Sequence, residues 1–441
     1  MDNLIYWIWL SLSCAAAGTS FPTLLTKFGD AKAVYDADEY DILKCLDSAN
    51  PDRAYLINKD LSHAEEIYAF CKRHGVGLLA YSDSAYPNSL RKIQSPPPLL
   101  YYRGALPDFN NRFFVSVVGT RSLSDYGRKN AFKISYDLAS AGATIVSGMA
   151  MGIDGVALAA AISAEAETVA ILGSGIDVCY PKQHLTLARE IVKNGCILTE
   201  FAPGTPPRGY NFPKRNRIIS ALSSATLVIE GRENSGALIT ARYAKEQGKA
   251  VFALPANVGS EQAEVSNLLL KNGAMPCTMA EDILRVFETE YPKYINLFKL
   301  SVRCPVDMMH VLRTLEVVAN CPNDDIYAPT KRLPKGYTST RASDVKREIS
   351  APDKAQPLAQ SAPTSLDNAE KAEAEGTAPT LIFDKRALKL YKRIPQRGGC
   401  EIEALVDEST PLREVMKLLL KLEMGKFVIL LPGDRVERKT K

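Results

Sequence analysis

The chain has 441 residues, 46% of them hydrophobic and 24% charged, with a net charge of only +4. It is too long for one ordinary domain, so two to four folded units are expected, and its overall charge is too small to attract a polyanion except through a local patch. Nine scattered cysteines with no CxxC pair, and only four histidines, exclude a disulfide framework and a Cys/His metal cluster. They point to free thiols in a reducing cytoplasm, with no metal and no cofactor.

In chain order, Leu4 to Ala17 is apolar and imitates a signal peptide. Asp2 stands where a positive flank belongs and the stretch is too short to span a bilayer, so a buried helix is favoured. Residues 1–80 read as helices, the last being SHAEEIYAFCKRHG, which Ser62 opens as N-cap and Gly75 closes. A SAM-like or helix-hairpin-helix DNA module and a plain docking domain both fit. Residues 81–111, with Pro87 and Pro96 to Pro98, read as an extended connector.

Residues 112–290 alternate apolar runs with amphipathic segments. Strands are expected at 114–119, 143–147, 168–173, 196–199, 225–230 and 249–254. Buried Val/Ile/Leu strands alternating with helices predict an α/β fold, a Rossmann-like parallel sheet covered on both faces. Right-handed crossovers then bring its strand-to-helix turns to one edge. Residues 291–379 are uninformative at first and become a linker rich in Pro, Ala, Ser, Glu and Lys at 331–379. Residues 380–441 recover hydrophobic order. A helix is expected at 411–423, then a hairpin turning at Pro432-Gly433-Asp434, a winged-helix-like pattern that suits DNA or protein docking.

The turns carry the chemistry. Gly119, Thr120 and Arg121 end the first strand, Ser147 and Gly148 another, and Gly173, Ser174 and Gly175 a third. A strand that ends in glycine presents bare N–H groups to an anion; the alternative for each is an ordinary turn. Asp154 is expected to cap a helix and Asp177 to cap or hold a turn. From Ala202 to Ile229 there is no acid, but there are Arg208, Lys214, Arg215 and Arg217 with Tyr210 and Phe212 beside them. Cations track a phosphate backbone and aromatic faces stack bases of any identity, which is favoured over a solvated face. Glu230 could hold a ribose or act as a base; anchoring the helix near Ala237 is preferred. P-loop, GxSxG, HExxH and GxGxxG patterns are all missing.

The motifs VVGTR, SGMAMGID, GSGID with YP, TEFAPGTPP, FPKRNRIIS, ENSGALITA, AKEQGKAVFALP and NLLLKNGA occur in that order between Val115 and Ala274. Together they resemble the DNA-processing protein A (DprA/Smf) family. The resemblance implies an extended Rossmann domain that binds single-stranded DNA, protects incoming strands during natural transformation, helps load the RecA recombinase, and acts as a homodimer without catalytic turnover or membrane attachment. It places the phosphate pocket on Gly119, Thr120, Arg121, Ser147, Gly148, Gly173, Ser174, Gly175, Lys214, Arg215, Asn216 and Arg217. Pro255-Ala256 and Val265-Ser266-Asn267 depart from the family's Pro-Gly and Arg-Gly-Asn, which puts a phosphate contact from loop 256–266 in question. The alternatives are a nucleotide hydrolase of the lysine-decarboxylase-like group, whose PGGxGT turn is missing here, and an adaptor working through residues 380–436.

Overall fold

A computed structural model describes residues 3–15, 18–233, 235–300 and 306–315, with short stretches between 390 and 438. The expected linker at 331–379 lies outside the described residues, as does the expected helix at 411–423 apart from Val415 and Leu419. The chain divides into two units, Met1–Glu348 and Ile349–Lys441.

The first unit opens with six helices: α1 Asn3–Ser13, α2 Ser20–Phe28, α3 Ala31–Asp36, α4 Glu39–Lys44, α5 Arg53–Leu56 and α6 Ser62–Arg73. Ile5 through Leu10 of α1 are all buried, which explains a helix apolar all round. The rings of Trp9 and Tyr35 meet edge-on at 5.3 Å, and the Trp9 indole N–H donates to the Asn58 carbonyl at 2.9 Å. At the start of α6 the side-chain acceptor is not Ser62 but Asp60, which accepts from the Ser62 N–H and hydroxyl, both at 2.9 Å.

Next come β1 Gly77–Ala80, α7 Asn88–Arg91 and β2 Leu99–Gly104. The expected connector therefore supplies a strand: β2 pairs antiparallel with β1 on one side and with the strand at 196–199 on the other. Pro96 to Pro98 stand just before β2, where no ladder N–H is needed. The alternating region follows as β3 Phe114–Val118, α8 Asp125–Ser140, β4 Thr144–Ser147, α9 Ile153–Ser163, β5 Thr168–Ile171, α10 Leu185–Asn194, β6 Cys196–Thr199, α11 Asn211–Leu222, β7 Ala225–Val228, α12 Gly236–Glu246, β8 Ala250–Ala253, α13 Glu264–Lys271, β9 Met275–Pro276, α14 Ala280–Phe287 and α15 Met308–Leu315. Each expected strand is present; that at 196–199 keeps its bounds and the others are shorter by one or two residues.

The nine strands form one sheet in the order β1-β2-β6-β5-β4-β3-β7-β8-β9, with every pair from β6 to β9 parallel. The order reverses between β3 and β7, the crevice where open α/β sheets bind ligands. Side chains alternate between two cores. Val115, Val117 and Ile145 pack with the N-terminal helices and α8, α9 and α14 on one face. Phe114, Val118 and Val146 pack with α11, α12 and α13 on the other. No helix among the described residues is long and apolar enough to cross a membrane.

In the second unit, β10 Cys400–Glu401, β11 Val428–Leu431 and β12 Arg435–Arg438 form an antiparallel sheet in the order β10-β12-β11. The expected hairpin pairs Leu431 with Arg435, although its turn lies outside the described residues. Val415 and Leu419, one helical turn apart, are buried with Leu390, Ile394 and Leu405.

Candidate nucleic-acid interface

The strand ends meet through backbone contacts. The first N–H of α9, from Ile153, donates to the Thr120 carbonyl at 3.1 Å, so the turns after β3 and β4 are fastened together. Gly152 makes this approach possible: its φ of +85° belongs to glycine, and any side chain would run into the Thr120 carbonyl and Arg121. The turn after β5 is tied in by Gly175, whose N–H donates to the Thr205 carbonyl at 2.9 Å. Gly173 is buried against the Phe212 ring, where a Cβ would stand 2.8 Å from the ring edge. Phe212 in turn carries the Arg121 guanidinium 5.1 Å from its centroid and lies 5.6 Å from the Tyr180 ring. Arg121, Tyr180 and Tyr210 are exposed, and Arg208 donates to the Tyr210 hydroxyl at 3.0 Å. Gly119, Arg121, Gly173 and Phe212 thus share one rim, with Gly148 just beneath.

Of the α11 cations expected to track a phosphate backbone, Arg215 and Arg217 are buried. Arg215 is only 3% exposed. Its Nη1 donates to the carbonyls of Gly148, at 2.8 Å, and Ile171, and its Nε to the Asn216 amide oxygen at 3.1 Å. Asp154 lies nearby and accepts from the Gly148 N–H at 3.1 Å. Burial pulls the Arg215 pKa down to about 10, against the pull of Asp154, and the Arg121 charge lowers it further; it stays charged at neutral pH. Burial pushes the Asp154 carboxyl up, opposed by Arg215. Asp154 follows the N-cap Gly152 rather than capping α9 itself. Its carboxylate holds the β4 turn instead.

Arg217 is 8% exposed and grips both oxygens of Glu200, at 2.8 and 2.7 Å. The acid-free run therefore does have compensating acids, supplied from outside it. Lys214 remains half-buried at the rim, its Nζ 3.3 Å from the Ala15 carbonyl and 6.0 Å from the Phe201 centroid. Asn216 bridges to the start of α12 through the Gly236 carbonyl at 3.2 Å.

Three hydroxyls expected at the site are engaged with backbone. Ser147 donates to the Val117 carbonyl at 2.7 Å and Ser174 to the Val178 carbonyl at 2.9 Å. Thr120 accepts from the Ser122 N–H at 3.2 Å. Asp177 accepts from the Gly204 N–H at 2.7 Å and so holds a turn. Glu230 anchors a helix, but it is α8 rather than α12: its carboxylate accepts from the Ser124 N–H at 3.0 Å and from the Ser124 hydroxyl, which caps α8. Its position at the end of β7, next to β3, dictates that choice. Sequence reasoning passed over Tyr180 and Glu200. The pairing of Tyr180 with Pro181 and the place of Glu200 in the motif TEFAPGTPP were the signals that could have found them. Of the histidines, His184 is buried and bonded through Nδ1 to the Met149 carbonyl at 2.9 Å.

The sequence matches the family described as DNA recombination-mediator protein A over residues 77–288, from the first residue of β1 to just past α14. It is 35% identical to the DNA processing protein DprA of Bacillus subtilis over 232 residues, which cover 53% of this chain and 78% of that protein. Its match to Protein Smf of Synechocystis is 44% identical over 200 residues, 45% of this chain and half the length of that relative. Among solved structures it is similar to DNA processing protein A from Streptococcus pneumoniae, with a TM-score of 0.57 at 30% identity over 65% of this chain and 98% of that one.

Proposed function

This chain belongs to the DNA recombination-mediator protein A family, and from that premise we propose that it binds single-stranded DNA at the rim without reading its sequence. In this reading it protects incoming strands during natural transformation and helps load a recombinase, acting as a homodimer in the cytoplasm. The observation that carries the proposal is the stack at the rim. Arg121 lies on Phe212, Phe212 fills the space over Gly173, and Tyr180 extends the aromatic surface. A guanidinium on an aromatic shelf offers a strand both a phosphate contact and a face on which a base can stack. Neither reads base identity.

The proposed contacts are the backbone of Gly119 to Arg121 and Gly173 to Gly175, the Arg121 guanidinium, Phe212 and Lys214. Ser147, Gly148, Arg215, Asn216 and Arg217 support them from beneath, Arg215 as a buried charge that water screens little. The helices of residues 1–80 are proposed as a SAM-like module, and residues 380–441 as winged-helix-like, on the strength of the three-stranded sheet and the buried Val415–Leu419 pair. Glu230 is committed to Ser124, which counts against a hydrolase that would use it. Fluorescence anisotropy with oligothymidylate, oligodeoxyadenylate and a duplex tests the reading. Similar affinity for the two single strands and weaker binding of the duplex are expected; a preference for duplex would overturn it.

A further inference from the structure

We propose that a second anion site, apart from the rim, lies between the loop that follows α7 and the C-terminal end of α12, and that it takes a phosphate-bearing ligand of nucleotide size. A cavity of about 540 Å³ opens there, within the usual range for small-molecule sites. Lys249 stands immediately before β8, at the opposite end of the parallel strands from the turns that make the rim. Arg121, Phe212 and Gly173 take no part in its walls; Arg217, which supports the rim from beneath, is shared by the two.

The charges lining it do not balance. Arg217 is occupied by Glu200 at 2.7 Å, and Glu246 faces Arg242 at 3.6 Å. Lys92 and Lys249 are left, and among the described residues neither has a carboxylate within ion-pair distance. Lys249 is half-buried; burial first, and then the charge of Lys92, push its pKa down, with Glu290 pulling the other way. Two ammonium groups held near each other repel, and an anion between them relieves that cost. The carbonyls at the end of α12 offer only partial negative charge. Around the lysines stand the Ser89 hydroxyl, the Gln94 amide and the Tyr243 ring. Lysine binds phosphate as a point charge, hydroxyl and amide donate to its oxygens, and a phenol ring suits a flat base. The same phosphate chemistry could reach the cavity on a free nucleotide or on a strand that continues past the rim.

Isothermal titration of the full chain with inorganic pyrophosphate, ADP and a short oligothymidylate separates these. Lys92→Ala and Lys249→Met remove the charges without touching an observed hydrogen bond. With free nucleotides as the source, both variants weaken pyrophosphate and ADP about tenfold or more and keep the affinity for oligothymidylate. With a strand as the source, the same variants weaken oligothymidylate binding and leave no nucleotide binding to lose. The proposal is overturned if the lysine variants bind all three ligands as the wild type does. It is overturned equally if Arg121→Ala, and not the lysine changes, abolishes nucleotide binding, since the ligand would then sit at the rim. A failure of the rim reading alone leaves the lysine result standing.

Discussion

Replacing Arg215 by methionine separates a residue that holds the site together from one that touches ligand. The change keeps the apolar stem and removes the guanidinium. The carbonyls of Gly148 and Ile171 lose their donor, and Asp154, 7% exposed, loses its countercharge. Leaving two buried carbonyls without their charged donor costs on the order of 3–5 kcal/mol, a large share of the 5–15 kcal/mol typical of a folded domain. At about 2–4 °C per kcal/mol for a domain of this size, the melting temperature of the first unit falls by about 6–20 °C. Thermal and urea melts of the full chain, followed by circular dichroism, measure it. Adding Asp154→Asn to Arg215→Met recovers part of the loss, because a neutral amide needs no countercharge. If Arg215→Met melts like the wild type while oligonucleotide binding disappears, the guanidinium faces ligand and the structural argument is wrong.

Glu230→Gln removes the charge that holds the Ser124 N–H and hydroxyl, and a loss of about 1.5–3 kcal/mol is expected in urea denaturation. Phe212→Leu takes the shelf from under Arg121; anisotropy titrations should show affinity for oligothymidylate reduced by about 1–3 kcal/mol, with the melting temperature little changed. Burial raises the folded-state pKa of Asp154 above the ordinary 3.8, so the folded protein binds the proton more tightly than the unfolded chain. Its contribution to stability is therefore fully present below about 3.8 and declines as pH rises through the raised value. Urea midpoints across that range should fall with pH more steeply in the wild type than in Asp154→Asn, and identical slopes would refute the assignment.

The sheet was legible because its strands are runs of Val, Ile and Leu buried on both faces, and such runs need no partner to be recognised. The turns at Gly119, Gly148 and Gly173 were legible because a glycine closing an apolar run is visible locally, whereas the side chains that press on them, Ile153, Arg215 and Phe212, come from distant parts of the chain. β1 and β2 were not legible, since the prolines before β2 mark a break and say nothing of the ladder that follows. The fate of the α11 cations was hidden for a different reason. Arg215 and Arg217 read as free charges because their own segment has no acid, whereas Asp154 comes near the first and Glu200 reaches the second only once α9, β6 and α11 are packed. Lys214 and Arg121 have no such partner among the described carboxylates, and they are the cations proposed to meet a strand.

The salt dependence of oligothymidylate binding, compared between wild type and Arg121→Ala, tests the rim most directly. Each phosphate neutralised contributes about −0.7 to the slope of log affinity against log salt on a single strand. The account predicts weaker binding to every sequence and a slope shallower by about 0.7 for the variant. An unchanged slope and affinity would show that the strand lies elsewhere on the protein.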